Sequence, residues 1–102
     1  MTLYRIIFNS DDIDITPMDY FEGIKFIYEN DMPVEIWQKP FYDKTGYKSI
    51  EPMSSKFKTI REWASYQNYA RHECWDSIIG FYKETDMLFF LTVIKGFERL
   101  YV

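Results

Sequence analysis

The stretch that most constrains how this chain can fold is its C-terminal run, Ser77 to Val102, SIIGFYKETDMLFFLTVIKGFERLYV. Within it, Met87 to Ile94 is apolar on both alternating sets. Met87, Phe89, Leu91 and Val93 form one set and Leu88, Phe90 and Ile94 the other, with Thr92 the only polar side chain. A strand covered on one face alternates apolar with polar, so this pattern predicts a central strand covered on both sides. Ile78 to Lys83 supplies β-branched and aromatic residues for a preceding strand, and Glu84-Thr85-Asp86 a turn between the two. A helical reading of Asp76 to Lys83 is disfavoured by Gly80 and by the Ile78-Ile79 pair. Lys95-Gly96 breaks the run, and Phe97 to Val102 returns as a third strand or continues past a bulge. The expectation is an antiparallel meander at the centre of the protein.

The remaining elements are read around that centre. Leu3 to Phe8 (LYRIIF) reads as a first strand, ended by the turn residues Asn9 to Asp12. Thr16 is a good helix N-cap, Pro17 suits the first helical position, and Asp19 completes a variant capping box. From Thr16 to Asn30 the helical period places Tyr20, Phe21, Ile24, Ile27 and Tyr28 on one arc. Asp19, Glu22 and Glu29 fall opposite, together with Phe26. Gly23 costs helix stability and is expected to permit close packing on the sheet. Pro33 ends the helix, because the residue before proline is pushed from helical geometry.

Val34 to Lys39 alternates, with Val34 and Ile36 on one side and Glu35, Trp37 and Lys39 on the other. Pro40 predicts a position at or near a sheet edge. Phe41 to Lys58 reads as a long polar loop, unless it hides a hairpin around Thr45-Gly46. Thr59 and Glu62 form a second capping box, and from Ile60 to Cys74 the helical arc collects Ile60, Trp63, Ala64, Tyr66, Ala70 and Cys74. With 102 residues and no internal repeat, the order β-α-β-loop-α-β-β predicts one α+β domain. The predicted architecture is a two-layer sandwich, a mainly antiparallel sheet with two helices on one face and an optional further C-terminal strand.

Composition narrows the setting. A 47% hydrophobic and 27% charged mix is that of a globular domain, and no apolar run reaches the ~20 residues that span a bilayer. The N-terminal segment lacks the features of a signal peptide, and a single cysteine, Cys74, leaves no internal disulfide or cysteine-based zinc site. These features lead to an expected cytosolic location. The chain has only two alanines, Ala64 and Ala70, and is rich in Ile, Tyr and Phe. That usage fits an AT-rich genome, such as those of many bacteria, phages and mobile elements.

Reactive side chains crowd together only at His72-Glu73-Cys74-Trp75-Asp76. A hydrolase or nuclease would use His72 as base with Glu73 or Asp76 orienting it, but on a helix His72 and Cys74 diverge, which disfavours that reading. Asp11-Asp12-Ile13-Asp14 lacks the ligand spacing and glycine of a calcium loop, so no metal and no cofactor is expected. Walker, dinucleotide, serine-hydrolase and zinc-protease signatures are absent from the sequence.

Charge is segregated. Asp11, Asp12, Asp14, Asp19, Glu22 and Glu29 make an acidic region around the first helix, suited to a basic protein surface. Lys44, Lys48, Lys56, Lys58 and Arg61 make a basic one, interleaved with Tyr42, Tyr47 and Phe57. Aromatic residues reach 21%, and Phe26 and Trp37 fall on the polar sides of their elements, where exposure is expected. The leading expectation is a non-enzymatic protein-binding module, in its finer form a phage-type inhibitor or adaptor of a larger cytosolic machine. Its contacts would be the acidic residues with Phe26 and Trp37. A homodimer through an edge strand at 34–39 is the rival within that class. Single-stranded nucleic acid, held by Lys56, Lys58 and Arg61 with Tyr47 or Phe57 stacking, is the alternative outside it. The net charge of −4 weighs against that alternative.

Overall fold

The computed structural model describes residues 2–8, 17–40, 46–66 and 75–100, and among them lies a five-stranded antiparallel sheet with three helices. The strands are β1 (Tyr4–Phe8), β2 (Val34–Pro40), β3 (Lys48–Ile50), β4 (Trp75–Phe81) and β5 (Phe97–Arg99). The helices are α1 (Pro17–Glu29), α2 (Ile60–Tyr66) and α3 (Glu84–Val93). The α+β class holds.

Sheet order is β3-β2-β4-β1-β5. Because β1 and β2 both run antiparallel to β4, they are parallel to each other, and β1-α1-β2 is a crossover split by β4. In the same way β4-α3-β5 is a crossover split by β1. Leaving aside β3 and α2, which lie between β2 and β4 in the chain, the topology is the β-α-β-β-α-β of ferredoxin-like domains. That arrangement by itself carries no function.

The core sits on one face of the sheet. Ile6 and Phe8 of β1, Ile36 of β2, Ile79 and Phe81 of β4 and Phe97 of β5 form one cluster with Tyr20, Ile24 and Ile27 of α1, Trp63 of α2, and Met87 and Phe90 of α3. Strand periodicity sends Arg5, Ile7, Glu35, Trp37, Lys39, Asp76, Ile78 and Tyr82 to the opposite face.

The C-terminal run departs most from expectation. Met87 to Ile94 is not a central strand: Met87 to Val93 belongs to α3 with Ile94 as its C-cap, and β4 occupies the centre between β1 and β2. Glu84 and Asp86 lie in the first helical turn, where acids complement the dipole, instead of in a β-turn. Met87 and Phe90 are fully buried while Leu88, Phe89 and Val93 stay about half exposed, a helical pattern. Apolar residues on its outer side hide that period from the sequence. The predicted meander is corrected with it, since β5 pairs with β1 and not with β4.

Other elements follow their sequence signals. At α1 the buried positions Tyr20, Gly23, Ile24 and Ile27 follow helical spacing. Its end is a Schellman motif: Met32 N–H donates to the Ile27 carbonyl and Asp31 N–H to that of Tyr28, both at 3.1 Å, with Asp31 left-handed at φ 51°. Half of the second capping box forms: Glu62 N–H donates to Thr59 Oγ1 at 3.0 Å, while the Glu62 carboxylate accepts from Lys58 N–H at 3.2 Å and not from Thr59. The expectation for Gln67 to Cys74 lies outside the described residues. So does the segment 41–45, beyond which β3 pairs with β2, as the hairpin alternative requires. The 34–39 strand is near the edge but not at it: β2 lies one strand in, flanked by β3 and β4, which corrects the homodimer expected through an edge strand at 34–39. Pro40 is the last residue of the strand.

Candidate functional site

Three of the five exposed large hydrophobic side chains among the described residues lie on α3. Leu88, Phe89 and Val93 are 45%, 48% and 49% exposed, and Thr92 lies among them. The helix adopts this orientation because its other arc locks into aromatic rings. Phe90 packs edge-on against Phe97 at 4.9 Å between centroids and tilted against Phe81 at 5.5 Å. Gly23 lets α1 come close here, since a Cβ added to it would lie 2.9 Å from Phe90 Cζ and 3.3 Å from Phe97. The close packing expected at this glycine is real, and it includes a helix as well as the sheet's Phe97.

Phe26 joins this surface to the acidic helix. Its ring meets Phe89 edge-on at 5.2 Å and Phe90 at 6.1 Å, so Phe26 is half-buried and not the freely exposed aromatic expected. On the α1 surface Glu22 and Glu29 are its helical neighbours, four residues before and three after. Both are exposed, and Glu29 Oε1 lies 3.7 Å from Lys25 Nζ. Asp19 is half-buried on the first turn of the same helix. Within Pro17–Glu29 three acids stand against one base, Lys25, a net charge of −2 on the helix beside the apolar face. Asp11, Asp12 and Asp14 lie outside the described residues.

Trp37 is also half-buried, corrected from the exposure expected. It sits on the sheet face away from the helices, where Gly80 leaves room. A Cβ added to Gly80 would lie 3.2 Å from the Trp37 ring and 3.1 Å from Leu3. The Arg5 guanidinium lies 5.8 Å from the Trp37 ring centroid. Nearby, the Tyr82 hydroxyl donates to Glu35 Oε1 at 3.0 Å, and that bond, ahead of burial, pushes the Tyr82 pKa up.

The proposed nucleic-acid residues are placed in different surroundings. Phe57 is buried in the core cluster, which corrects its assignment as a stacking residue. Lys56 Nζ donates to Tyr66 Oη and to Glu51 Oε2, each at 3.4 Å, and the Tyr66 contact is the main cause of its raised pKa. Lys58 and Arg61 are exposed. Tyr47 is 38% exposed with Lys39 Nζ 5.3 Å from its ring, and burial followed by the Asp76 charge raises its pKa. Tyr66, at 57% exposure, is the aromatic that the sequence reading assigned to the inner arc.

His72 and Cys74 lie outside the described residues, and among the described ones no group of three or more His, Cys, Asp or Glu could hold a metal ion. An open groove of about 670 Å³ runs past Ile27, Met32, Val34 and Met53 with Asp31 and Lys83 alongside. No described helix is long and apolar enough to cross a membrane. No family model matches the chain, nor does any curated protein or solved structure.

Proposed function

We propose that the chain is a non-enzymatic protein-binding module that docks a partner on the outer face of α3 and the adjoining acidic flank of α1. The observation that carries this reading is the run of Leu88, Phe89 and Val93, each about half in water on a helix otherwise fixed in the core. Completing the burial of three such side chains recovers on the order of 3 kcal/mol. Aromatic and branched anchors beside a charged rim suit a protein interface. The fitting partner presents apolar side chains among lysines and arginines, because Glu22, Glu29 and Asp19 give α1 its negative charge. In its finer form the chain is an inhibitor or adaptor acting on the basic surface of a cytosolic nucleic-acid-processing machine.

Affinity capture from host extract tests this, with the wild-type chain, Phe89→Ser and the double variant Glu22→Gln with Glu29→Gln run in parallel. The expected result is one stoichiometric protein on the wild type, lost on Phe89→Ser. The double amide variant should associate with it more slowly and with a flatter salt dependence. Recovery of nucleic acid alone, or equal recovery by Phe89→Ser, sinks the reading.

A further inference from the structure

The helices cover one face of the sheet, and the other face is not the polar surface that such an arrangement usually shows to water. The strand register aligns Ile7 of β1, Ile78 of β4 and Trp37 of β2 in one row across the middle of the sheet. Glu98 of β5 and Ser49 of β3 close its two ends. All three apolar residues are half-buried and none belongs to the core cluster. Leu3 extends this surface over Gly80.

Charges flank the stripe in a particular order. On one side the register aligns Arg5, Gly80 and Glu35, and on the other it pairs Asp76 with Lys39. Glu35 and Lys39 lie two residues to either side of Trp37 on the same strand. A copy turned about an axis along the stripe therefore brings its Lys39 over Glu35, and its Asp76 to the side that holds Arg5. The four flanking charges are complementary to themselves, two acids against two bases, while Glu98 at the end of the row meets the same residue of the copy and weakens the pairing.

We propose that this sheet face, left open by the described helices, pairs with the same face of a second copy, about a two-fold axis lying along Ile7, Ile78 and Trp37. The pairing is face to face, as in aligned sheet packing, so it needs no free strand edge and is compatible with an interior β2. Strands about 4.8 Å apart, roughly 20 Å long in the middle and half that at the edges, give a face of roughly 400 Å². Specific interfaces average about 800 Å² per partner, so this face is below the usual size and the dimer is weak and reversible. The α1–α3 surface takes no part in it.

Sedimentation equilibrium across a dilution series reads the association directly. The wild-type chain is expected to dimerise, and Ile78→Arg, checked for retained fold by circular dichroism, to be monomeric. The single variants Glu35→Lys and Lys39→Glu should each weaken the dimer about tenfold or more, by setting like charges opposite one another. The double variant Glu35→Lys with Lys39→Glu should restore it, since the order is merely reversed. This rescue separates a contact between copies from damage to the fold. A wild-type chain that stays monomeric to about 1 mM overturns the proposal, as does a double variant no tighter than the weaker single. So does a dimer lost on Phe89→Ser but kept on Ile78→Arg. A labelled single-stranded oligonucleotide that binds the monomer at low salt and is released by Ile78→Glu would assign the face to nucleic acid instead, and so overturn it.

Discussion

At Asp31 the backbone enters the left-handed region, φ 51°, to close the Schellman motif that ends α1. A side chain there costs roughly 1–2 kcal/mol, of which glycine gives back part to its own chain entropy. Asp31→Gly is therefore expected to stabilise the protein by about 0.5 kcal/mol, read as a rise in the urea midpoint at unchanged slope. Gly23 behaves oppositely. Alanine would favour the helix by about 1 kcal/mol, but its Cβ would sit 2.9 Å from the fully buried Phe90 ring. Overpacking of that kind costs about 1–3 kcal/mol, so Gly23→Ala should lower the midpoint. The sequence marks Gly23 as a close contact but not Asp31 as left-handed, since aspartate is common in turns of every hand. Nor does it reveal the buried hydroxyl cluster in which Gln38 Nε2 and Ser77 Oγ donate to Tyr20 Oη. Its members come from three elements far apart in the chain.

Among the elements, those with local chemistry of their own were legible. Pro17 opens α1 and Thr59 with Glu62 opens α2, and the buried face of α1 repeats with helical spacing. The three-residue strands β3 and β5 leave little periodicity to read, and β3 showed only as a hairpin option around Gly46. On α3, exposed Leu88, Phe89 and Val93 made two faces of a helix look like two faces of a strand. Acids at Glu84 and Asp86, followed by Met87, Phe90, Leu91 and Ile94 at helical spacing, were the overlooked signal. The same misreading hid the candidate docking surface, because a strand covered on both sides leaves nothing exposed. Truncation distinguishes the two forms by a wide margin. A two-sided strand predicts similar losses at neighbouring positions. On α3, Phe90→Ala should cost about 3–5 kcal/mol, whereas Phe89→Ala, half in water already, should cost about 1 kcal/mol or less. Urea unfolding of the two variants side by side gives the answer.

At the scale of the whole molecule, the helix layer and the open sheet face point in opposite directions. Two copies joined through their sheets therefore carry their α1–α3 surfaces outward, one on each side, with neither obstructing the other. Such a dimer is bivalent by geometry, and a weak sheet contact becomes consequential once both docking surfaces are engaged. Tethering a second binding event raises its effective concentration toward the millimolar range, enough to exceed the single-site affinity by 10²-fold or more when the spacing permits. The expected outcome is read on a sensor carrying the captured partner at two densities. Wild-type chain injected above its dimer dissociation constant should leave a dense surface much more slowly than a sparse one. Ile78→Arg should leave both at the sparse-surface rate, while its one-to-one affinity in solution equals that of the wild type. Equal dissociation of the wild type from both surfaces would mean that the two faces do not act together, and an Ile78→Arg chain with reduced solution affinity would place the sheet face within the partner's own footprint.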